Sequence, residues 1–399
     1  MGRALVTPAE ETDRRIRLTH HLVELGDGHE VGVSVGGQGV PLVFLHGLAL
    51  DRRAYLRMLS RAAGLGFLVI AIDAAGHGDT RNLPRNAGEL ADRVDLILRT
   101  LDALGIQHAV FAGHSMGGRM AIQLAAAAPD RVLAAVLFDA AAGASLDDVI
   151  PALAHSPRLA ARTIGRAAYD AQREPFRLSF AEHSRYMRML ASVAMRNARQ
   201  PMGFPGAARA ILQSGNYTPL LHVMRDQQIP TIVVHGERDL LVPFDSARDL
   251  AEDANATLYR VPGAYHMWMI VNPRRGADAL RQLRDGELGK ALRDAATGLG
   301  IAKWRDATAW DEALIAPDAR VRELNGDQIE ELGSDEREHV VLELVRRARA
   351  TTGRTTDAVG YAGRIDARPV GVRAGWIRHI RKRLGPDGGS RRNRTPSAH

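Results

Sequence analysis

The sequence predicts an α/β fold: a mainly parallel sheet that carries a helical insertion and is followed by a helix-rich extension. Three observations carry this. Between residues 20 and 140, short apolar runs come first as strands in succession and then alternate with helical patterns, the order that builds βα units and a mainly parallel sheet. From about residue 144 to 228 there is no strand pattern, and two strand-like runs return after it. Beyond about residue 285 the sequence is polar and helix-prone, without strands of the core type.

The expected strands cover 21–25, 30–35, 41–45, 67–73, 109–113, 133–139, 231–235 and 257–261. Between the fourth and fifth of them, Leu90, Val94, Ile97, Leu98, Leu101 and Leu104 recur at helical spacing, with Gly105 as a stop signal. The glycines at 36, 37 and 39 precede a strand, with no helix following, so they read as a turn and not as a phosphate loop. The insertion reads as several helices broken by Pro175, Pro201, Gly203, Pro205 and Gly215, an arrangement like a cap. Its five methionines (Met187, Met189, Met195, Met202, Met224), with Phe176, Phe180, Tyr186 and Phe204, suit an adaptable apolar surface. In the extension, Ser334 reads as the N-cap of a helix with the stripe Val341, Leu344, Val345 and Ala348 and a basic last turn. The expected organisation is an N-terminal arm (1–20), a core (21–143 and 229–284), a helical cap (144–228), a helix-rich extension (285–384) and a disordered basic tail (385–399).

Composition narrows the function classes. The 399 residues are 45% hydrophobic and 25% charged, the usage of a globular protein. No stretch approaches the roughly 20 apolar residues of a membrane-spanning helix, and the N-terminus has no secretory pattern, so a cytoplasmic location is expected. With no cysteine there is neither a disulfide framework nor a catalytic thiol. The net charge of +7 sits in the tail, since residues 371–399 hold eight Lys or Arg and one Asp. Only three of the 53 basic residues are lysine, which points to a GC-rich bacterial genome, and no specific nucleic-acid binding is expected. Trp376, Ile377, Ile380 and Leu384 share one helical face in that tail, an arrangement compatible with weak contact to a membrane surface or polyanion.

The chemistry is concentrated in three places. Gly113-His114-Ser115-Met116-Gly117 directly follows an apolar strand and precedes a helical stretch, the context of a nucleophile elbow that lifts a serine hydroxyl above the sheet. A serine hydroxyl needs a base within reach, and His266, after the last core strand, supplies one. Asp239, after the preceding strand, is the expected acid partner, with Asp139 at the end of an earlier strand as the alternative acid and Glu237 as a weaker rival. The order Ser, acid, His fits this chemistry, and each residue falls past the C-terminal end of a strand, where open α/β sheets place their sites. Acyl transfer also needs donors for the developing oxyanion. The backbone N–H groups of Met116 and Leu48 are the candidates, with His46 and Gly47 shaping one turn and Gly113, His114 and Gly117 the other. Asp73 and His77 fit a loop role. The fifteen histidines are scattered without metal-ligand spacing.

Residues 21–284 resemble the α/β-hydrolase fold family in its lid-bearing esterase, lipase and carbon-carbon hydrolase branches. The matching pieces are LHG at 45–47, DAAGHGDT at 73–80, GHSMGG at 113–118, HGERDLLVP at 235–243 and the His266 loop. Ala75 departs from the family, whose members commonly carry a bulkier or charged residue there. The resemblance implies an eight-stranded type of sheet under a helical cap, with no metal and no organic cofactor. Ser115 argues against the branches whose nucleophile is aspartate. The expected function is hydrolysis of a small to medium, apolar carboxylic ester through an acyl-enzyme on Ser115. The same triad also serves carbon-carbon bond hydrolysis and acyl transfer, which the sequence does not separate; a non-catalytic binding protein on this fold is disfavoured by the complete triad.

Overall fold

The computed structural model describes residues 14–84, 88–173, 178–326, 330–332 and 339–350. The strands, in chain order, are β1 (Arg14–Ile16), β2 (Thr19–Glu24), β3 (Glu30–Gly36), β4 (Val40–Leu45), β5 (Phe67–Ile72), β6 (Ala109–His114), β7 (Val132–Phe138), β8 (Thr231–Gly236), β9 (Thr257–Val261), β10 (Glu330–Leu332) and β11 (Glu343–Arg346). Nine of them form one sheet in the order β11-β9-β8-β7-β6-β4-β5-β3-β2. β5, β4, β6, β7, β8 and β9 run parallel. β3 runs antiparallel to β5 and β2 antiparallel to β3. The central strands are unbroken apolar runs, FLVIAI in β5 and VLAAVLF in β7, buried at every residue. A strand covered by helices on both faces requires that composition.

All eight expected strands are present, and the sheet has one more. The arm expected over residues 1–20 is partly strand: β1 pairs with β10, and β2 begins at Thr19. The helix expected over 334–349 is not found, because β11 occupies its centre and pairs antiparallel with β9. Ser334, its expected cap, lies outside the described residues. The physical reason is non-local. The outer edge of β9 offers unpaired backbone groups, Arg260 donates to the Glu343 carboxylate across the pair (Nε at 2.9 Å), and Arg346 reaches the Ala256 carbonyl at 2.5 Å. Val341, Leu344 and Val345 stay exposed at 61%, 42% and 42%, so the stripe that imitates a helix face enters no core.

The helix expected from its apolar spacing spans Leu90–Leu104 and stops at Gly105, whose φ of 75° is left-handed. The insertion between β7 and β8 forms helices Ala144–Asp147, Ile150–His155, Pro157–Arg173, Phe180–Asn197, Gly203–Gln213 and Thr218–Asp226. Phe180–Asn197 starts on a capping box of Ser179 and Glu182. These helices are fastened to the core by fully buried Arg119. It donates to Asp147 (2.6 Å) and to the carbonyls of Ala141 (2.8 Å) and Gly215 (2.6 Å), and stacks on the Tyr217 ring. The methionines divide: Met224 is buried and Met189 partly so, whereas Met187, Met195 and Met202 are exposed, as are Phe180 and Phe204.

Past Asp285 the chain continues to pack on the sheet. Helices Glu287–Gly298, Ala307–Leu314 and Arg320–Asn325 bury Leu288, Leu292, Trp310, Leu314 and Val321. Thr19 Oγ1 donates to the Leu324 carbonyl (2.8 Å) and Asn325 Nδ2 to the Gly37 carbonyl (2.8 Å), joining the extension to β2 and to the turn between β3 and β4. Among the described residues no helix is long and apolar enough to cross a membrane. The tail at 385–399 and the stripe of Trp376, Ile377, Ile380 and Leu384 lie outside the described residues.

Candidate active site

Ser115 stands at the junction of β6 and the Met116–Ala127 helix, with φ 55° and ψ −116°. A side-chain-bearing residue in that conformation costs on the order of 1–3 kcal/mol and persists only where its surroundings enforce it. Ser115 N–H donates to the Phe138 carbonyl (3.0 Å), and its own carbonyl accepts from Ala141 N–H (3.1 Å), so the end of β7 holds both sides of the turn. The flanking glycines answer a steric need. A Cβ on Gly117 would lie 2.0 Å from the Leu45 carbonyl oxygen, and one on Gly113 2.3 Å from that of Gly117.

Asp239 and His266 project from the loops after β8 and β9. Asp239 Oδ1 accepts from the N–H groups of Leu241 and Val242, both at 2.8 Å, and Oδ2 accepts from His266 Nδ1 at 2.6 Å. Both side chains are buried. With Nδ1 committed as a donor, Nε2 is the ring atom that can accept a proton. Burial opposes the charged imidazolium, but the charge and hydrogen bond of Asp239, with Asp139 and Asp170 adding to them, reverse this and lift the His266 pKa to about 9. Burial raises the pKa of Asp239, yet the attraction of His266 wins and holds it below the usual carboxylate range.

The other acids are employed elsewhere. Asp139 accepts from Gly236 N–H and Trp268 Nε1, both at 2.7 Å, and makes no hydrogen bond to His266. Burial, then the neighbouring charge of Asp239, raises its pKa well above the ordinary value. Glu237 faces Gly263 N–H and Arg260 at the surface. Asp139, His235 and Asp239 bring ligand-type atoms within 4.8 Å of one another, but the Asp139 oxygens, Asp239 Oδ2 and His235 Nε2 are all taken up by protein hydrogen bonds.

The turn at His46, Gly47 and Leu48 lies alongside the elbow, since a Cβ on Gly47 would meet Ser115 Cβ at 3.4 Å. Gly47 N–H donates to the Tyr55 hydroxyl (3.1 Å), which donates to His114 Nδ1 (2.7 Å), whose Nε2–H donates to the His266 carbonyl (3.0 Å). This chain fixes the His114 tautomer, and burial drives the His114 pKa down to about 3, so the ring is neutral. His46 donates to the Gly47 carbonyl (2.8 Å) and accepts from Ala74 N–H (2.9 Å). Leu48 N–H makes no hydrogen bond among the described residues, and Met116 N–H belongs to the first helical turn, where no intrahelical acceptor exists. The structure thus gathers the elbow, the turn at 46–48 and the Asp239–His266 pair. The hydrogen bonds of the described residues do not include one between Ser115 Oγ and His266; the elbow meets the histidine loop through residue 114, whose ring lies 4.8 Å from that of His266. Asp73 is buried against Arg52, and His77 packs beside His46, both in the supporting loop.

Three neighbours were not visible in the sequence. Tyr55 is a buried aromatic with no motif around it, and Trp268 is a buried aromatic two residues past His266 whose role the loop's sequence does not announce. Asp170, on the inserted Pro157–Arg173 helix, accepts from His266 N–H (2.9 Å) and Leu240 N–H (3.0 Å). A separate cavity of about 330 Å³ lies between the Leu56–Gly64 and Phe180–Asn197 helices, lined by Arg53, Arg57, Arg185, Arg188 and Ile270 among others. Neither Ser115 nor His266 lines it.

A family model described as the alpha/beta hydrolase fold matches residues 40–273. A protein of Mycobacterium phage D29, provisionally named a non-heme haloperoxidase, is 41% identical over 270 residues, which cover 66% of this chain and 94% of that relative. The dihydrolipoyllysine-residue acetyltransferase component of the acetoin cleaving system of Cupriavidus necator is 37% identical over 136 residues, 34% of this chain and 36% of that relative. A thermophilic esterase from Thermogutta terrifontis superposes with a TM-score of 0.53 at 21% identity, covering 67% of this chain and 98% of that structure, a likeness of fold. With the model match spanning more than half of its length, the chain belongs to the α/β-hydrolase fold family and is an enzyme of that family.

Proposed function

We propose that the protein is a serine hydrolase acting on a carboxylic ester, small to medium in size and apolar, through an acyl-enzyme on Ser115. The observation that carries this reading is the buried 2.6 Å bond from His266 Nδ1 to Asp239, which leaves Nε2 as the ring atom to act as the base, together with a serine on a strained turn whose neighbour His114 bonds the His266 carbonyl. Ser115 Oγ attacks the ester carbonyl as Nε2 takes its proton, and Asp239 stabilises the imidazolium. The N–H groups of Leu48 and Met116 receive the oxyanion. His266 then protonates the departing alcohol, and water, activated by the same histidine, releases the acid. Helices of the insertion act as a cap over this site. Turnover of short and medium p-nitrophenyl esters tests the reading: Ser115→Ala should lose roughly 10⁴-fold or more in kcat, and an unchanged rate defeats it.

A second reading is favoured by the names of the relatives. The acetyltransferase component suggests that the acyl group can pass to an acceptor other than water, and the provisionally named haloperoxidase suggests hydrogen peroxide as such an acceptor. Hydrogen peroxide attacking the acyl-enzyme would return Ser115 Oγ–H and release a peroxy acid. Product analysis with added peroxide, alcohol or amine separates the two readings.

A further inference from the structure

The inserted helices touch both halves of the site with polar side chains. On the oxyanion side, Asn197 Nδ2 donates to the Ala49 carbonyl (3.0 Å), and Arg196 pairs with Asp51 (2.6 Å). On the other side stands Asp170, 1% exposed in the last turns of the Pro157–Arg173 helix. Its two oxygens serve two loops: Oδ1 accepts from His266 N–H, and Oδ2 accepts from Leu240 N–H, the residue after Asp239. No ion pair links Asp170 to an Arg or Lys among the described residues. A carboxylate so placed uses both acceptors on the backbone of the two loops whose side chains form the acid–histidine pair.

Building on the serine-hydrolase reading, we infer that Asp170 is a positioning residue through which the insertion sets the register of Asp239 against His266 and adds a negative charge near the imidazolium. The insertion is thereby part of the catalytic assembly as well as a cover. The two loops also bond each other directly, Arg238 N–H to the Ala264 carbonyl (2.8 Å) and Gly263 N–H to Glu237 (2.8 Å), but the two bonds from the buried Asp170 carboxylate are made at His266 itself and at the residue after Asp239. The charged and titratable groups around His266 are Asp239, Asp139, His114 and His235 besides Asp170, and those around Asp170 are Asp239 and His266. Burial, with repulsion from Asp239 added, raises the Asp170 pKa to about 6, against the stabilising backbone bonds. The clamp is therefore fully ionised only above that pH.

The test uses the full-length protein and the variants Asp170→Asn, which keeps an acceptor without the charge, and Asp170→Glu, which keeps the charge on a longer stem. Removing a nearby charge should lower the His266 pKa by roughly one pH unit. NMR titration of the ¹⁵N-labelled imidazole, assigned with His266→Gln, should show this in Asp170→Asn and not in Asp170→Glu. The acid limb of kcat/KM for p-nitrophenyl butyrate should move to lower pH with it, and the plateau kcat above that limb should fall roughly tenfold with KM little changed. An unmoved imidazole titration in a folded Asp170→Asn protein overturns the inference, and so does a wild-type kcat in both variants. The titration needs no turnover, so it decides the clamp even if wild type fails to hydrolyse esters, the result that would defeat the underlying reading instead.

Discussion

Asp239→Asn is the substitution whose effect can be worked furthest from the structure. It leaves the shape of the side chain and removes the charge that His266 faces at 2.6 Å. The rise of the His266 pKa from 6.5 to about 9 corresponds to about 3 kcal/mol of imidazolium stabilisation, at about 1.4 kcal/mol per unit. Without Asp239, burial is the dominant influence, so His266 should titrate at or below its ordinary value. The sign for stability follows. A histidine whose folded pKa lies above its unfolded one contributes its full stability below about pH 6.5 and loses it as pH rises through about 9. The wild type should therefore exceed Asp239→Asn by about 3 kcal/mol near pH 6, with the gap closing above pH 9. Activity should run the other way with pH. Two units below a pKa of about 9, roughly one His266 in a hundred is neutral and able to act as a base, so wild-type kcat/KM should climb about tenfold per unit from pH 6 to 8. Urea unfolding at several pH values and a pH–rate series on p-nitrophenyl butyrate measure both arms. A wild-type imidazole that titrates at or below 6.5, or a variant with an unshifted pH–rate limb, refutes the reasoning.

Other expectations follow from the same geometry. Ser115→Gly relieves the positive φ and should raise unfolding stability by about 1 kcal/mol while abolishing turnover; a midpoint in urea below that of Ser115→Ala would show that the turn is unstrained. Trp268→Phe deletes the Nε1 donor to Asp139 and should cost roughly 2 kcal/mol in the same assay, whereas an unchanged midpoint would mean that Asp139 finds another donor. Ending the chain after Asp285 strips away Leu288, Leu292, Trp310, Leu314 and Val321, which are buried and worth roughly 1.5–3 kcal/mol each. The shortened protein should melt far below the full chain or fail to fold; an equal melting temperature would make the extension a separate appendage.

The core was legible because its signals are local. β5 and β7 announce themselves as continuous apolar runs, the Leu90–Leu104 helix by its spacing and its glycine stop, and the elbow by two glycines that have no room for a Cβ. The residues that escaped depend on contacts distant in sequence. β11 forms because an edge of β9 awaits it, and its apolar residues at 341, 344 and 345 repeat at a spacing that suits either a helix or an exposed edge strand. Asp170 sits in ARTIGRAAYDAQR, a stretch with no motif, and its importance appears only when the fold lays that helix across two loops about 70 and 96 residues away. Tyr55 gives no sign in the sequence that its hydroxyl joins Gly47 to His114. Which of Asp239 and Asp139 bonds the histidine ring likewise depends on the fold, because both follow strand ends and only the first makes that bond.

The most direct measurement of the central claim is covalent labelling of the folded, full-length protein with a fluorophosphonate, followed by intact mass and peptide mapping. The account predicts a single adduct on Ser115, absent in Ser115→Ala and strongly slowed in His266→Ala. A folded wild-type protein that takes no label, or takes it on another residue, contradicts it.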